Sequence, residues 1–209
     1  PPATFILRLS AATGSMPNDH AAFNISWRHG EYGEESNSFI YIHATPRQVA
    51  ANLGGDWDTF TQAPSPRTRT TTQAHDPLGI TALGDWTFVF DPDWLGTRED
   101  LITRLSKGTR LVSQAVLAVE EMDYFYWCEN GEIRFAWFDD DHLTDIPDEL
   151  AAPLPEINRL YPSSSRLYDG PVFLLVEHLT GTRPDKHLLK NSTLMWQRPG
   201  ITQSVAADQ

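Results

Sequence analysis

The pattern of apolar and polar positions divides the chain into short strands and amphipathic helices. Phe39 to His43 (FIYIH) is a run of aromatic and β-branched residues and predicts a strand. A helix signal follows at once. Thr45 is placed to cap, Pro46 suits the first helical position, Gln48 completes a capping box, Val49, Ala50 and Leu53 form an apolar stripe, and Gly54 ends the run. A second unit has the same plan: Thr87 to Asp91 (TFVFD) predicts a strand, Thr97 a cap answered by Asp100, Leu101, Ile102 and Leu105 a stripe, and Gly108 a stop. Superposing Thr45 on Thr97 also superposes Gln48 on Asp100, Val49 on Leu101 and Leu53 on Leu105, which suggests a repeated strand–helix unit. Earlier in the chain, residues 5–9 (FILRL) and 23–27 (FNISW) read as two more short strands.

The strongest β signal comes after Gly108. Leu111 to Val119 predicts a strand, and Tyr124 to Cys128 is expected to pair with Ile133 to Phe138 through an Asn130-Gly131 turn. A regular hairpin would set Cys128 against Ile133, Tyr126 against Phe135 and Trp127 against Arg134. Aromatic residues fall on both faces of this hairpin, so both faces are expected to be covered. Glu129 and Glu132 meet across the turn, a small local repulsion.

Further on, Pro153 and Pro155 read as breaks in an acidic stretch. Val172, Leu175, Val176 and Leu179 then form one face of a helix that Gly181 stops. A shorter amphipathic piece is expected around Leu188 and Leu189. Residues 55–84 hold Pro64, Pro66, a Thr/Arg run with Arg67 and Arg69, Asp76-Pro77 and Gly79, and read as one long irregular loop. The domain assignment is a single α+β domain over 1–197 with this loop inside it, followed by a flexible polar tail over 198–209. Its expected architecture is an antiparallel-rich sheet with two similar strand–helix units and C-terminal helices packing on one face, parallel pairing between the units being an open alternative.

Charge sharpens the picture. Sixteen Lys and Arg against 28 Asp and Glu leave a net charge of -12, which repels nucleic acid and anionic membrane alike and favours a basic protein as partner. No apolar run approaches a membrane span, and the single cysteine, Cys128, excludes an internal disulfide; both fit a cytoplasmic protein.

A search for chemistry finds little. No G-x-S-x-G nucleophile elbow, phosphate-binding P-loop or G-x-G-x-x-G is present, and no two of the seven histidines make a zinc-type pair. Asp139, Asp141 and His142 are the best metal candidates, because clustered carboxylates suit a hard divalent ion, but they follow a strand end where a solvated turn places charge anyway. Asp91-Pro92-Asp93 is short enough to be a strand end and nothing more. Trp127 against Arg134 suggests a cation–π pair, with packing the simpler explanation. Cys128 falls in a buried strand without a sequence-adjacent base and reads as an inert thiol. No catalytic residue and no cofactor is assigned.

The stretch GDWTFVFDPDWLGTREDLITRLSKGTRLVS (84–113), followed by YFYWCENGEIRFAWFD, resembles an uncharacterised family of actinobacterial, Streptomyces-type proteins. TPRQVAANLGG and LLVEHLTGTRP resemble the same family's first and last helices, and the likeness spans most of 23–190. The resemblance implies no catalytic residue. Two functions of different classes follow as expectations. The first is a non-enzymatic protein-binding protein, an acidic immunity- or antitoxin-type inhibitor of a toxin or other basic partner, contacting it through Asp56, Trp57, Asp58, Asp93 and Trp94. The alternative is a hydrolase or small-ligand-binding enzyme whose site gathers scattered Asp and His residues.

Overall fold

The computed structural model describes residues 37–59, 61–62, 78–91, 93–117, 122–138, 141–142, 145–160, 171–182 and 194–196. The predicted strands at 5–9 and 23–27, the piece around Leu188 and the tail over 198–209 lie outside these residues.

The fold is α+β, built on a nine-stranded sheet in which every described pairing is antiparallel. The strands are β1 (Asn37–Ile42), β2 (Thr61–Gln62), β3 (Leu78–Leu83), β4 (Trp86–Asp91), β5 (Arg110–Leu117), β6 (Met122–Glu129), β7 (Glu132–Phe138), β8 (Asp141–His142) and β9 (Leu194–Trp196). Their order across the sheet is β2-β9-β3-β4-β1-β5-β6-β7-β8. The open question of parallel pairing is thereby settled: β1 and β4 are direct neighbours running in opposite directions, with Phe39 opposite Phe90 and Tyr41 opposite Phe88.

Helices cover both faces. On one face α1 (Pro46–Asn52) and α2 (Glu99–Leu105) bury Val49, Ala50, Leu101, Ile102 and Leu105 against Ile40, Ile42, Val89 and Leu111. On the other, α3 (Asp148–Ala151), α4 (Leu154–Leu160) and α5 (Pro171–Thr180) pack on an aromatic surface that includes Phe39, Phe88, Phe125, Phe135 and Trp137. Burial on both sides explains why β1 and β4 are apolar almost throughout instead of alternating. The C-terminal helices thus form a third layer opposite the strand–helix units.

The sequence signals are met most closely at α1. Thr45 Oγ1 accepts from the Gln48 amide, and Gln48 Oε1 accepts from the Thr45 amide at 3.0 Å, completing the capping box. In the second unit the stripe aligns as expected, but the cap does not. Arg98 is the N-cap of α2 and makes no side-chain cap bond, while Thr97 belongs to a 3₁₀ turn (Leu95–Thr97) and its hydroxyl donates to the Trp94 carbonyl. The cap differs because the loop before α2 is held to the sheet by Asp91, Ser38 and Ser113, which bond the backbone of Leu95 and Gly96.

Three other readings need correction. The expected loop over 55–84 holds regular structure near its two ends, a 3₁₀ turn (Trp57–Thr59) and β2 at one and β3, which forms a hairpin with β4, at the other; its centre over 63–77, with Arg67 and Arg69, lies outside the described residues. Gly84, at φ 60° in the first of two loop positions, supplies the positive φ that such a tight connection needs. The signal in LGITAL is weak because Gly79 and the preceding Asp76-Pro77 resemble loop chemistry. Pro155 does not break the chain; it sits in the first turn of α4, where its missing N–H costs no hydrogen bond.

The third correction concerns hairpin register. Cys128 faces Ile133 and Glu129 faces Glu132 as predicted, but Trp127 faces Phe135, Tyr126 faces Ala136 and Phe125 faces Trp137. Arg134 is therefore an extra, exposed residue in a β-bulge on β7. The reason lies in the two cores. Ile133 packs on the Cys128 side, whereas Phe135 and Trp137 belong to the aromatic side, and strict alternation from Ile133 would put both aromatics on the wrong face.

Deleting Arg134 should consequently be tolerated. Without it Ile133 and Phe135 become adjacent and alternate naturally into the faces they already occupy. The expected change in unfolding free energy is within about 1 kcal/mol, read by urea denaturation. A loss of several kcal/mol would mean that the bulge itself, and not the placement of its neighbours, is what the fold requires.

Candidate functional site

Among the described residues, two places combine accessible polar groups with aromatic rings, one at each end of the sheet. The first is the connection from β4 to α2. Asp91, fully buried, accepts through Oδ2 from the Ser38 hydroxyl at 2.7 Å and from the Leu95 amide, and through Oδ1 from the Asp93 amide at 3.0 Å. The Ser38 oxygen in turn accepts from the Gly96 amide at 3.3 Å, and the Ser113 hydroxyl donates to the Gly96 carbonyl at 2.8 Å. A Cβ on Gly96 would lie 2.4 Å from Ser113 Oγ and 2.8 Å from Ser38 Cβ, so only glycine allows the loop to sit this close to the sheet.

Pinned on both sides, Trp94 takes a left-handed conformation (φ 57°, ψ 30°) that non-glycine residues seldom adopt. Its ring is half-buried, and its indole Nε1 is buried without a hydrogen-bond partner among the described residues. Strain of this kind persists only where the surroundings over-determine the backbone, and the Asp91, Ser38 and Ser113 contacts do so here.

The second place is a shallow open cleft of about 440 Å³ at the opposite end of the sheet, lined by His43, Trp86, Gly108, Thr109, Arg110, Glu129 and Asn130. His43 follows β1 and its ring lies 5.1 Å from that of Trp86, which begins β4. Arg110 begins β5 and is held on three sides. Its Nε donates to Glu129 at 2.7 Å, its two terminal nitrogens reach both carboxylate oxygens of Glu149 at 3.2 and 3.3 Å, and its guanidinium lies 5.7 Å from the centre of the Trp127 ring. The paired carboxylates hold the guanidinium in its charged form and raise its pKa, Glu129 contributing most. Trp127 therefore has a cation as neighbour, but it is Arg110 and not the expected Arg134. His178 of α5 contacts the Glu149 carbonyl at 2.9 Å, which links α5 to the same network through α3.

The predicted contact residues divide between the two ends. Asp93 and Trp94 follow the C-terminal end of β4. Trp57 lies with Arg47, whose guanidinium is 5.6 Å from its ring, in the first turn of α1 just beyond the C-terminal end of β1. Because β1 and β4 are antiparallel six-residue strands, about 20 Å of sheet lies between the two groups. Asp58, exposed, is 3.9 Å from Arg47, and Asp56 caps its own turn by accepting from the Asp58 amide at 3.1 Å.

Asp139 lies outside the described residues, and Asp141 and His142 form the short strand β8 opposite Phe138 and Trp137. Among the described residues, no three His, Cys, Asp or Glu side chains are grouped to hold a metal ion. Asp91 of the D-P-D sequence is consumed by its loop. Cys128 is buried, and burial, reinforced by Glu99, pushes its thiol up to about 12, which leaves it uncharged and unreactive near neutrality. No helix among the described residues is long and apolar enough to cross a membrane.

These features define a three-layer α+β domain with an antiparallel sheet and, among the described residues, two small surface sites. The chain belongs to a family of unknown function, DUF6461, whose model matches residues 39–197. No curated protein and no solved structure matches it.

Proposed function

We propose that the protein is a non-enzymatic protein-binding protein, an acidic immunity- or antitoxin-type inhibitor that masks a toxin or other basic partner in the cytoplasm of an actinobacterial host. The observation that carries this reading is the rigid display of Asp93 and Trp94. A half-buried tryptophan held in one strained conformation loses little freedom on binding, so it suits the anchor of an interface. The adjacent carboxylate and the net charge of -12 would speed encounter with a basic surface and repel nucleic acid. Asp56, Trp57 and Asp58, at the other end of the sheet, add to the steering field while Trp57 and Asp58 serve Arg47.

The test is to purify the protein from its own host with whatever it binds, then to measure the isolated pair. The expected partner is basic, with an association rate that falls steeply from low to physiological salt. Trp94→Ala should weaken the complex by about 30-fold, the effect of an anchor worth roughly 2 kcal/mol. Failure to recover a partner, or an affinity untouched by Trp94→Ala combined with Asp93→Ala, would sink the reading.

A further inference from the structure

The cleft at the other end of the sheet has no part in that interface and has a chemistry of its own. Arg110 is its only cationic lining residue among the described residues, and three of its N–H groups are already engaged: Nε by Glu129, one on each terminal nitrogen by Glu149. Two carboxylates therefore answer one guanidinium. Glu132, exposed and directly opposite Glu129, adds a third negative charge, while Lys107 approaches from the far side of the turn with its stem 3.2 Å from where a Gly131 Cβ would stand. The two carboxylates on the single guanidinium leave the Arg110 network with one negative charge in excess.

Glu129 is bonded to Arg110 through Oε1, and among the described residues no hydrogen bond is made to its Oε2. One wall is aromatic, formed by exposed His43 over Trp86 at 5.1 Å. An acidic oxygen beside an aromatic face is what a planar organic cation needs, because the ring quadrupole and the carboxylate act on the same charge. An anion would meet the carboxylate excess, and Arg110 has already committed three of its five N–H donors to carboxylates. A neutral apolar ligand would find an open, wet and largely polar lining.

We infer that this cleft is a binding site for a guanidinium group, stacked on the His43–Trp86 wall and donating to Glu129. The group reaches it either as free arginine-type metabolite or as an arginine side chain in a polypeptide; the chemistry at the cleft is the same.

Nuclear magnetic resonance on the ¹⁵N-labelled full chain tests this directly, with N-acetyl-arginine methylamide as probe and its neutral isostere N-acetyl-citrulline methylamide as control. The arginine probe should shift the amide signals of Gly108, Thr109 and Asn130 saturably, and citrulline should bind at least fivefold more weakly. Glu129→Gln should weaken arginine binding roughly two- to fivefold, the scale of one solvent-accessible charge pair. His43→Ala, at an exposed position that leaves the core intact, should weaken it as well. An arginine-containing Gly/Ser peptide that binds more tightly than the amide identifies the polypeptide source, and equal binding identifies the free one. Equal affinity for arginine and citrulline, or shifts unchanged by both substitutions, would overturn the inference. Neither result depends on whether a protein partner is recovered, since the Trp94 interface lies at the other end of the sheet.

Discussion

Asp91→Ala should lower the unfolding free energy by about 2 to 5 kcal/mol, because it takes the carboxylate from the buried Leu95 amide and leaves the Ser38 hydroxyl only the long contact to the residue-91 carbonyl. The Asp91 carboxylate accepts from the Leu95 amide and the Ser38 hydroxyl in a buried setting, and from the Asp93 amide at the loop surface. Each buried donor left unmet costs roughly 1 to 3 kcal/mol, and water cannot enter freely where Ser38 and Gly96 are fully covered. The effect should extend beyond stability. With the anchor gone, nothing compels Trp94 to remain left-handed, so its loop should exchange amide hydrogens faster than the strands on either side. Asp93→Ala is the control: the carboxylate two residues on is half-exposed, and its loss should change stability by no more than about 0.5 kcal/mol. Urea denaturation of both variants decides the matter. If Asp91→Ala behaves like Asp93→Ala, the buried carboxylate does not hold the loop.

The second large effect is expected at Phe173→Ala, with a loss of about 3 to 5 kcal/mol. Phe173 is fully buried in α5, where with Val172, Leu175 and Val176 it covers the aromatic face of the sheet. Truncation removes the transfer free energy of the ring and leaves a cavity between two rigid layers that cannot collapse around it. For a chain of this size the melting temperature should fall by roughly 6 to 20 °C. Leu174→Ala, at a partly buried position on the same helix, should cost clearly less. A small effect at Phe173 would mean that α5 docks loosely, and that the sheet with α1 and α2 carries most of the stability alone.

Where an outcome depends on residues close in the chain, the amino-acid sequence was enough to read it. Thr45 and Gln48 cap α1 because they are three residues apart on one turn. Asn130 and Gly131 close the hairpin because both accept the positive φ, 55° and 87°, that a tight turn demands. Gly54, Gly108 and Gly181 stop their helices for the same reason, at φ 84°, 70° and 68°. The covering of both faces of β6 was legible too, since its aromatics alternate onto both sides.

The rest was decided by tertiary structure. Whether Arg134 pairs or bulges depends on which core takes Phe135 and Trp137, and that choice involves helices α3 to α5 far along the chain. Asp91 reads locally as a strand end; its role appears only when Ser38, 53 residues earlier, is brought beside it by strand pairing. Asp93 and Trp94 were legible as a polar–aromatic pair, but not the strain that holds them. The guanidinium cleft left no local signal at all. His43, Trp86, Arg110 and Glu129 meet because four antiparallel strands end together there, and strand order is set by the burial of two faces at once, a property that no single stretch of sequence carries.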